Sequence, residues 1–227
     1  MKTVLPLLVA VLVPFPTFAA KEKPAETNLS PAQVEANYTK AIEGRTANIL
    51  KALALTDTNQ ALRVHDIIVA QWRALNAWHN ANDPKLKAAK ADTNATDQIQ
   101  GSLKKLHREF IGRLAENLTP EQIEIVKDKM TYGVVDATYR AYLEIVPNLT
   151  AAEKEKILEL LKEGREEAMD GGSSKEKAAI IKKYKGKINV YLSANGHDVA
   201  RAYKDWGAKQ KAKAAAAATD SDAGPDN

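Results

Sequence analysis

Apolar residues recur at spacings of three and four along most of this chain, and no stretch alternates apolar with polar. That is the period of amphipathic α-helices rather than strands. The pattern predicts a first helix from Pro31 to about Leu55, burying Val34, Tyr38, Ile42, Ile49 and Leu53. A second opens near Asp57 and places Val64, Ile67, Ile68, Trp72, Leu75 and Trp78 on one face. The polar stretch Asn80 to Thr96 contains Pro84 and reads as a long loop or lid. A third helix carries Ile99, Leu103, Leu106, Phe110 and Leu114 and ends at Asn117. A fourth runs through Met130, and Gly133 marks a bend before a fifth that stops at Pro147. Gly171 and Gly172 close a sixth, Asn195 and Gly196 a seventh, and the last starts at Asp198 and fades into the alanine tract Ala214 to Ala218. The expected fold class is all-α, an irregular bundle of seven to eight helices in one domain over residues 30–212. Residues 20–29 read as a flexible segment and 213–227 as a disordered, acidic tail.

One phrase occurs three times at helix starts: NLSPAQ from Asn28, NLTPEQ from Asn117 and NLTAAE from Asn148. The Ser30, Thr119 or Thr150 hydroxyl can accept from an unpaired backbone N–H, while Gln33, Gln122 or Glu153 reaches back to the cap. Pro31 and Pro120 then stand where a missing N–H costs nothing. Leu29 with Val34, and Leu118 with Ile123, have the spacing of a hydrophobic staple, which Lys154 denies to the third copy. Ser173 and Glu176 offer a further capping box.

Lys2, the apolar run Val4 to Phe18 and the small residues Ala19 and Ala20 have the layout of a secretory leader over residues 1–19, with cleavage expected after Ala19. The run is too short, and too interrupted by Pro6, Pro14 and Pro16, for a membrane anchor, so a soluble exported protein in the periplasm or outside the cell is expected. The chain has no cysteine, which excludes disulfides and thiolate chemistry. Loss of Lys2 would take the net charge from +4 to +3, and the charges alternate in sign along helices, which argues against nucleic acid as a partner.

No cofactor or metal motif stands out: the four histidines, His65, His79, His107 and His197, lack the four-residue helical spacing of zinc hydrolases, and there is neither a phosphate loop nor a nucleophile elbow. The aromatic residues are the candidate chemistry. Trp78 is followed by His79 and Asn80, and Tyr132, Tyr139 and Tyr142 cluster around Gly133 with Asp136 and Arg140 among them. Flat rings beside hydrogen-bonding side chains suit a sugar, whose apolar face stacks while its rim is satisfied; the competing reading makes the same rings helix-packing core. Gly186, costly inside a helix, marks either close helix approach or room for a ligand, with Lys185, Lys187, Asn189 and Tyr191 around it able to address an acidic group.

The phrases Met130 to Gly133 (MTYG), Ile145 to Thr150 (IVPNLT) and Lys185 to Asp198 (KGKINVYLSANGHD) resemble a family of secreted bacterial proteins, domain of unknown function 3826, from the first helix through Asp198. Where that family usually has arginine this chain has Lys187, and where it usually has an aromatic residue this chain has His197. The resemblance implies export from Gram-negative bacteria that degrade complex polysaccharides. The Leu118 to Gln122 phrase is also similar to one in periplasmic chaperones of envelope stress. The expected function is therefore an accessory protein that binds a carbohydrate-like ligand through Trp78, His79, Tyr132, Asp136, Tyr139, Arg140, Lys185, Asn189 and His197. The alternatives are a chaperone and a polysaccharide-acting enzyme.

Overall fold

The structure, a computed structural model, describes residues 29–89 and 91–222, with side chains through Ala214. The expected leader, nearly all of the segment 20–29 and the last five residues of the expected tail lie outside the described residues. Eight α-helices make up the described fold: α1 (Pro31–Leu53), α2 (Thr58–Ala88), α3 (Thr93–Ala115), α4 (Pro120–Met130), α5 (Val134–Ile145), α6 (Ala151–Met169), α7 (Ser174–Ala194) and α8 (Val199–Asp222). There is no strand among the described residues, so the fold is an all-α bundle.

The repeated phrase does what its chemistry dictates. Ser30, Thr119 and Thr150 are the N-caps of α1, α4 and α6, and each closes a reciprocal capping box with Gln33, Gln122 or Glu153. Leu118 and Ile123 are both buried in one core cluster, as a staple requires, whereas Leu29 and Val34 are exposed because the start of α1 has no neighbour over that face. Val34 is thus not a core residue. At α7 the box is only half made: Ser173 Oγ accepts from Glu176 N, but the Glu176 carboxylate turns to Gly172 N at 2.8 Å.

The expected loop at 80–96 is mostly helix. α2 continues through Pro84 to Ala88, and α3 begins at Thr93 under an Asp92 cap. Proline removes one hydrogen bond to Asn80, whose exposure lets water take the carbonyl. Around it Asn82 Nδ2 donates to Trp78 O at 2.9 Å and His79 pairs with Asp83 one turn on, so the local helix survives. At the other end, α8 carries helical backbone through the alanine tract where the sequence predicts loss of order; alanine is the best helix former.

Two apolar cores lie side by side. One is made by α1 to α4 around Ile42, Ile68, Phe110 and Val126, the other by α5 to α8 around Tyr142, Ile157, Ile188 and Leu192. Met169, at the end of α6, belongs to the first core, so α6 spans the joint. The α6–α7 hairpin is the tightest pairing because Gly164 admits the Tyr184 ring: a Cβ there would meet it at 2.8 Å.

The joint is ionic. Arg165 of α6, almost wholly buried, donates to Glu124 at 2.6 Å and Asp128 at 2.7 Å on α4. His107 of α3 lies 3.0 Å from Asp170 and 3.4 Å from Glu166. Asp170, then Glu166, hold the His107 imidazolium up to about 9. Burial works against the Glu166 carboxylate, but His107, Lys127 and Arg165 outweigh it and keep it at about 2. Beyond them, Lys177 Nζ closes α6 by donating to Ala168 O at 2.8 Å and Met169 O at 2.7 Å.

Candidate functional site

The helix-ending chemistry of α4 builds the most unusual spot on the backbone. Gly133 N donates to Asp128 O at 2.7 Å and Tyr132 N to Lys129 O at 3.3 Å. Those two bonds are a Schellman motif, whose left-handed position is ordinarily glycine. Here Tyr132 fills it, with φ +61°, and Gly133 follows at +67°. A large side chain pays of order 1 kcal/mol or more for that backbone. What the arrangement achieves is to turn the Tyr132 ring outward, 49 % exposed, at the corner between the two cores.

That corner faces α1 across an open cleft of about 630 Å³. Arg45, Asn48, Ile49, Lys51 and Ala52 line it from α1, and Lys129, Tyr132 and Gly133 from the end of α4. Positions 45, 48 and 52 form a stripe at helical spacing beside the buried stripe Ile42, Ile49 and Leu53. Three of the eight lining residues are cations and none is a carboxylate. The Arg45 guanidinium stacks over the buried Trp72 ring at 5.5 Å, which limits its freedom. The cleft thus combines an aromatic face, an amide and positive charge.

The other residues singled out in the sequence fall elsewhere. Trp78 Nε1 donates to Ser102 Oγ at 2.8 Å, tying α2 to α3, and its ring meets His79 edge to face. His79 is buried, with one ring nitrogen 2.9 Å from Asp83 Oδ1 and the other 2.7 Å from Asp170 O. Both neighbours are acceptors, an arrangement that favours the imidazolium, which can donate from both nitrogens. Burial opposes that charge, and the Asp170 carbonyl and Asp83 carboxylate raise its pKa in spite of it. Gly172 is required beside it, since a Cβ would stand 2.6 Å from the imidazole.

Asp136 and Arg140 form an exposed pair one turn apart on α5, and Tyr139 packs against the second core. Lys185 and Asn189 belong to the same core's polar edge: Tyr142 Oη donates to Asn189 Oδ1 at 2.8 Å and to Lys185 O at 3.2 Å. Burial pushes the Lys185 ammonium down to about 8. His197 bonds Glu153 Oε1 at 2.8 Å while Oε2 of the same carboxylate closes the α6 capping box, so His197 steadies a helix start. Gly186 has open space over it, which sets aside close helix approach.

The structure therefore joins Trp78 to His79, Asp136 to Arg140, and Lys185 and Asn189 to Tyr142, and sets Tyr132 in a cleft with residues the sequence did not single out. Arg45, Asn48 and Lys51 carried only the signal of a polar stripe next to a core stripe, which most surface helices share. Lys129 stands one residue before the MTYG phrase and gave no signal of its own.

Comparison with curated proteins finds no match. The sequence model of a family described as a protein of unknown function matches residues 39–212, from the middle of α1 into α8 and across every residue of the cleft. On that match the chain belongs to the DUF3826 family.

Proposed function

We propose that this protein binds a carbohydrate-like ligand in the Tyr132 cleft, as an exported accessory to polysaccharide use. The observation that carries the reading is a half-exposed tyrosine ring held in a left-handed backbone position where glycine is the ordinary choice. Strain of this kind persists where the surroundings over-determine it, and it concentrates at ligand clamps. Asn48 adds an amide that can satisfy hydroxyl groups, and Ala52 extends the apolar face. Such a site grips a sugar by its face and its rim together.

A chaperone surface fits less well. Among the described residues, the large exposed apolar side chains other than Tyr132 are Leu29, Val34, Leu62 and Val190, which are spread over the start of α1, α2 and α7.

A thermal-shift screen of the purified protein against neutral and acidic oligosaccharides tests the proposal. A ligand at about a hundred times its dissociation constant adds roughly 2.7 kcal/mol, a rise of about 5 to 10 °C for a domain of this size. The expected result is a saturable shift that Tyr132→Gly abolishes. A flat panel, or a shift indifferent to that substitution, would retire the reading.

A further inference from the structure

Building on the reading that this cleft holds a sugar, we propose that its ligand is an acidic oligosaccharide whose negative groups are met by Arg45, Lys51 and Lys129. The first support is the charge pattern. The chain as a whole is nearly balanced, with 33 lysines and arginines against 29 aspartates and glutamates. Some of the described cations outside the cleft, a minority, have carboxylate partners: Arg73 has Glu35, Lys156 has Glu159, and Lys183 has Glu167. Lys127, two residues from Lys129, has both Glu124 and Glu166. Among the described residues no carboxylate pairs with Arg45, Lys51 or Lys129, and none lines the cleft. Three cations around one concavity without a counter-charge are an arrangement that an anionic ligand completes.

The fold also shows how the three like charges coexist without a ligand. Lys51 stands in the last turn of α1 and Lys129 in the last turn of α4, where the negative ends of the helix dipoles favour them. Arg45 is held over Trp72. The three charges are thus tolerated on one surface before binding, and Arg45 is already positioned for a ligand.

Spacing selects an oligomer over a small anion. Arg45 and Lys51 are six residues apart on α1, roughly 9 Å along its axis, and Lys129 comes from a different helix. One phosphate or acetate does not meet all three, whereas a chain bearing an acidic group on successive sugars does. The Tyr132 ring, with Ala52 beside it, takes the apolar sugar faces between those charges. Carboxylated uronic acids and sulfated sugars share the required chemistry.

The test is calorimetry on the full protein with tetragalacturonate as the carboxylated probe, a κ-carrageenan-derived tetrasaccharide, which bears sulfates and no carboxylate, as the sulfated one, and cellotetraose and xylotetraose as neutral controls. At least one acidic probe is expected to bind ten times or more tightly than either neutral one, and the stronger of the two tells carboxylate from sulfate. Its affinity should fall about threefold to tenfold in each of Lys51→Gln and Lys129→Gln, and should weaken as salt is raised. Circular dichroism of these surface variants should match that of the parent protein. A neutral tetrasaccharide that binds as tightly, with no loss in either variant, would overturn the acidic class while leaving sugar binding at Tyr132 intact. Silence from all four probes would overturn both. A single-stranded oligothymidylate that binds more tightly than every sugar, indifferent to Tyr132→Gly, would assign the cleft to nucleic acid instead.

Discussion

Tyr132 ends α4 in the same backbone position in which Gly196 ends α7. In each case two bonds cross the helix end, Tyr132 N to Lys129 O with Gly133 N to Asp128 O, and Gly196 N to Ser193 O with His197 N to Leu192 O. Both residues are left-handed, at φ +61° and +90°. Only glycine adopts that conformation without cost. Tyr132→Gly is therefore expected to stabilise the protein by about 1 kcal/mol, seen as a rise of roughly 2 to 4 °C in the thermal midpoint, while removing the ring from the cleft. A fall in the midpoint would mean that the ring serves packing more than it strains the backbone.

Two helical glycines on facing helices should answer alanine with opposite signs. At Gly164 the new methyl meets the Tyr184 ring at 2.8 Å, and at Gly186 it meets nothing within 4 Å. Gly164→Ala should cost about 1 to 3 kcal/mol, and Gly186→Ala should add about 0.5 to 1 kcal/mol. Denaturant midpoints at a constant slope measure both. A gain at Gly164 would deny that α6 and α7 need this close approach.

Removing the charge that closes α6 should be costly. Lys177 is buried, donates to two carbonyls and lies 5.6 Å from the Trp72 ring centroid. Lys177→Met keeps most of the volume and leaves Ala168 O and Met169 O without that donor, at an expected cost of about 2 to 3 kcal/mol. Chemical unfolding reads it directly, and a loss below about 0.5 kcal/mol would place those carbonyls within reach of water.

The ionic joint should show in the pH profile. His107, held up to about 9 by Asp170 and Glu166, starts from 6.5 in the unfolded chain. Its stabilisation is complete below pH 6.5 and is lost as pH rises towards 9. Glu166, kept at about 2 against 4.5, contributes above pH 4.5 and loses its contribution as pH falls towards 2. Lys177, pushed down to about 8 by burial, works the other way from His107 above that pH, so the informative quantity is the gap between the parent and His107→Gln. That gap should be widest near pH 5 to 6 and shrink by an amount on the order of 2 to 3 kcal/mol by pH 9. Parallel stability curves for the two proteins would remove His107 from the account.

Helix starts were far more legible than helix ends or neighbours. The caps at Ser30, Thr119 and Thr150 involve residues three apart, so the whole interaction is contained in a short phrase. Pro84 misled because a proline's cost is local and known, while the bonds around Asn82 and Asp83 that offset it depend on where Trp78 and His79 point. Of the residues chosen for chemistry, Tyr132 was marked by its neighbour Gly133, but its left-handed backbone was not, since the glycine next to it is what the position ordinarily demands. His79 and His197 resembled binding groups because their acceptors, Asp170 and Glu153, lie 91 and 44 residues away.

The sequence by itself determined the class and order of the elements: period, caps and stops act within a turn or two, and an all-α bundle of seven to eight helices follows from them, eight among the described residues. Tertiary structure decided which polar groups are consumed. Whether a lysine faces Glu166, two helix carbonyls or an open cleft depends on helices distant in sequence meeting, as Lys127, Lys177 and Lys129 do in turn. Charge acts through space over several ångströms and is indifferent to chain position. A cationic cleft could emerge only once α1 had packed beside the end of α4.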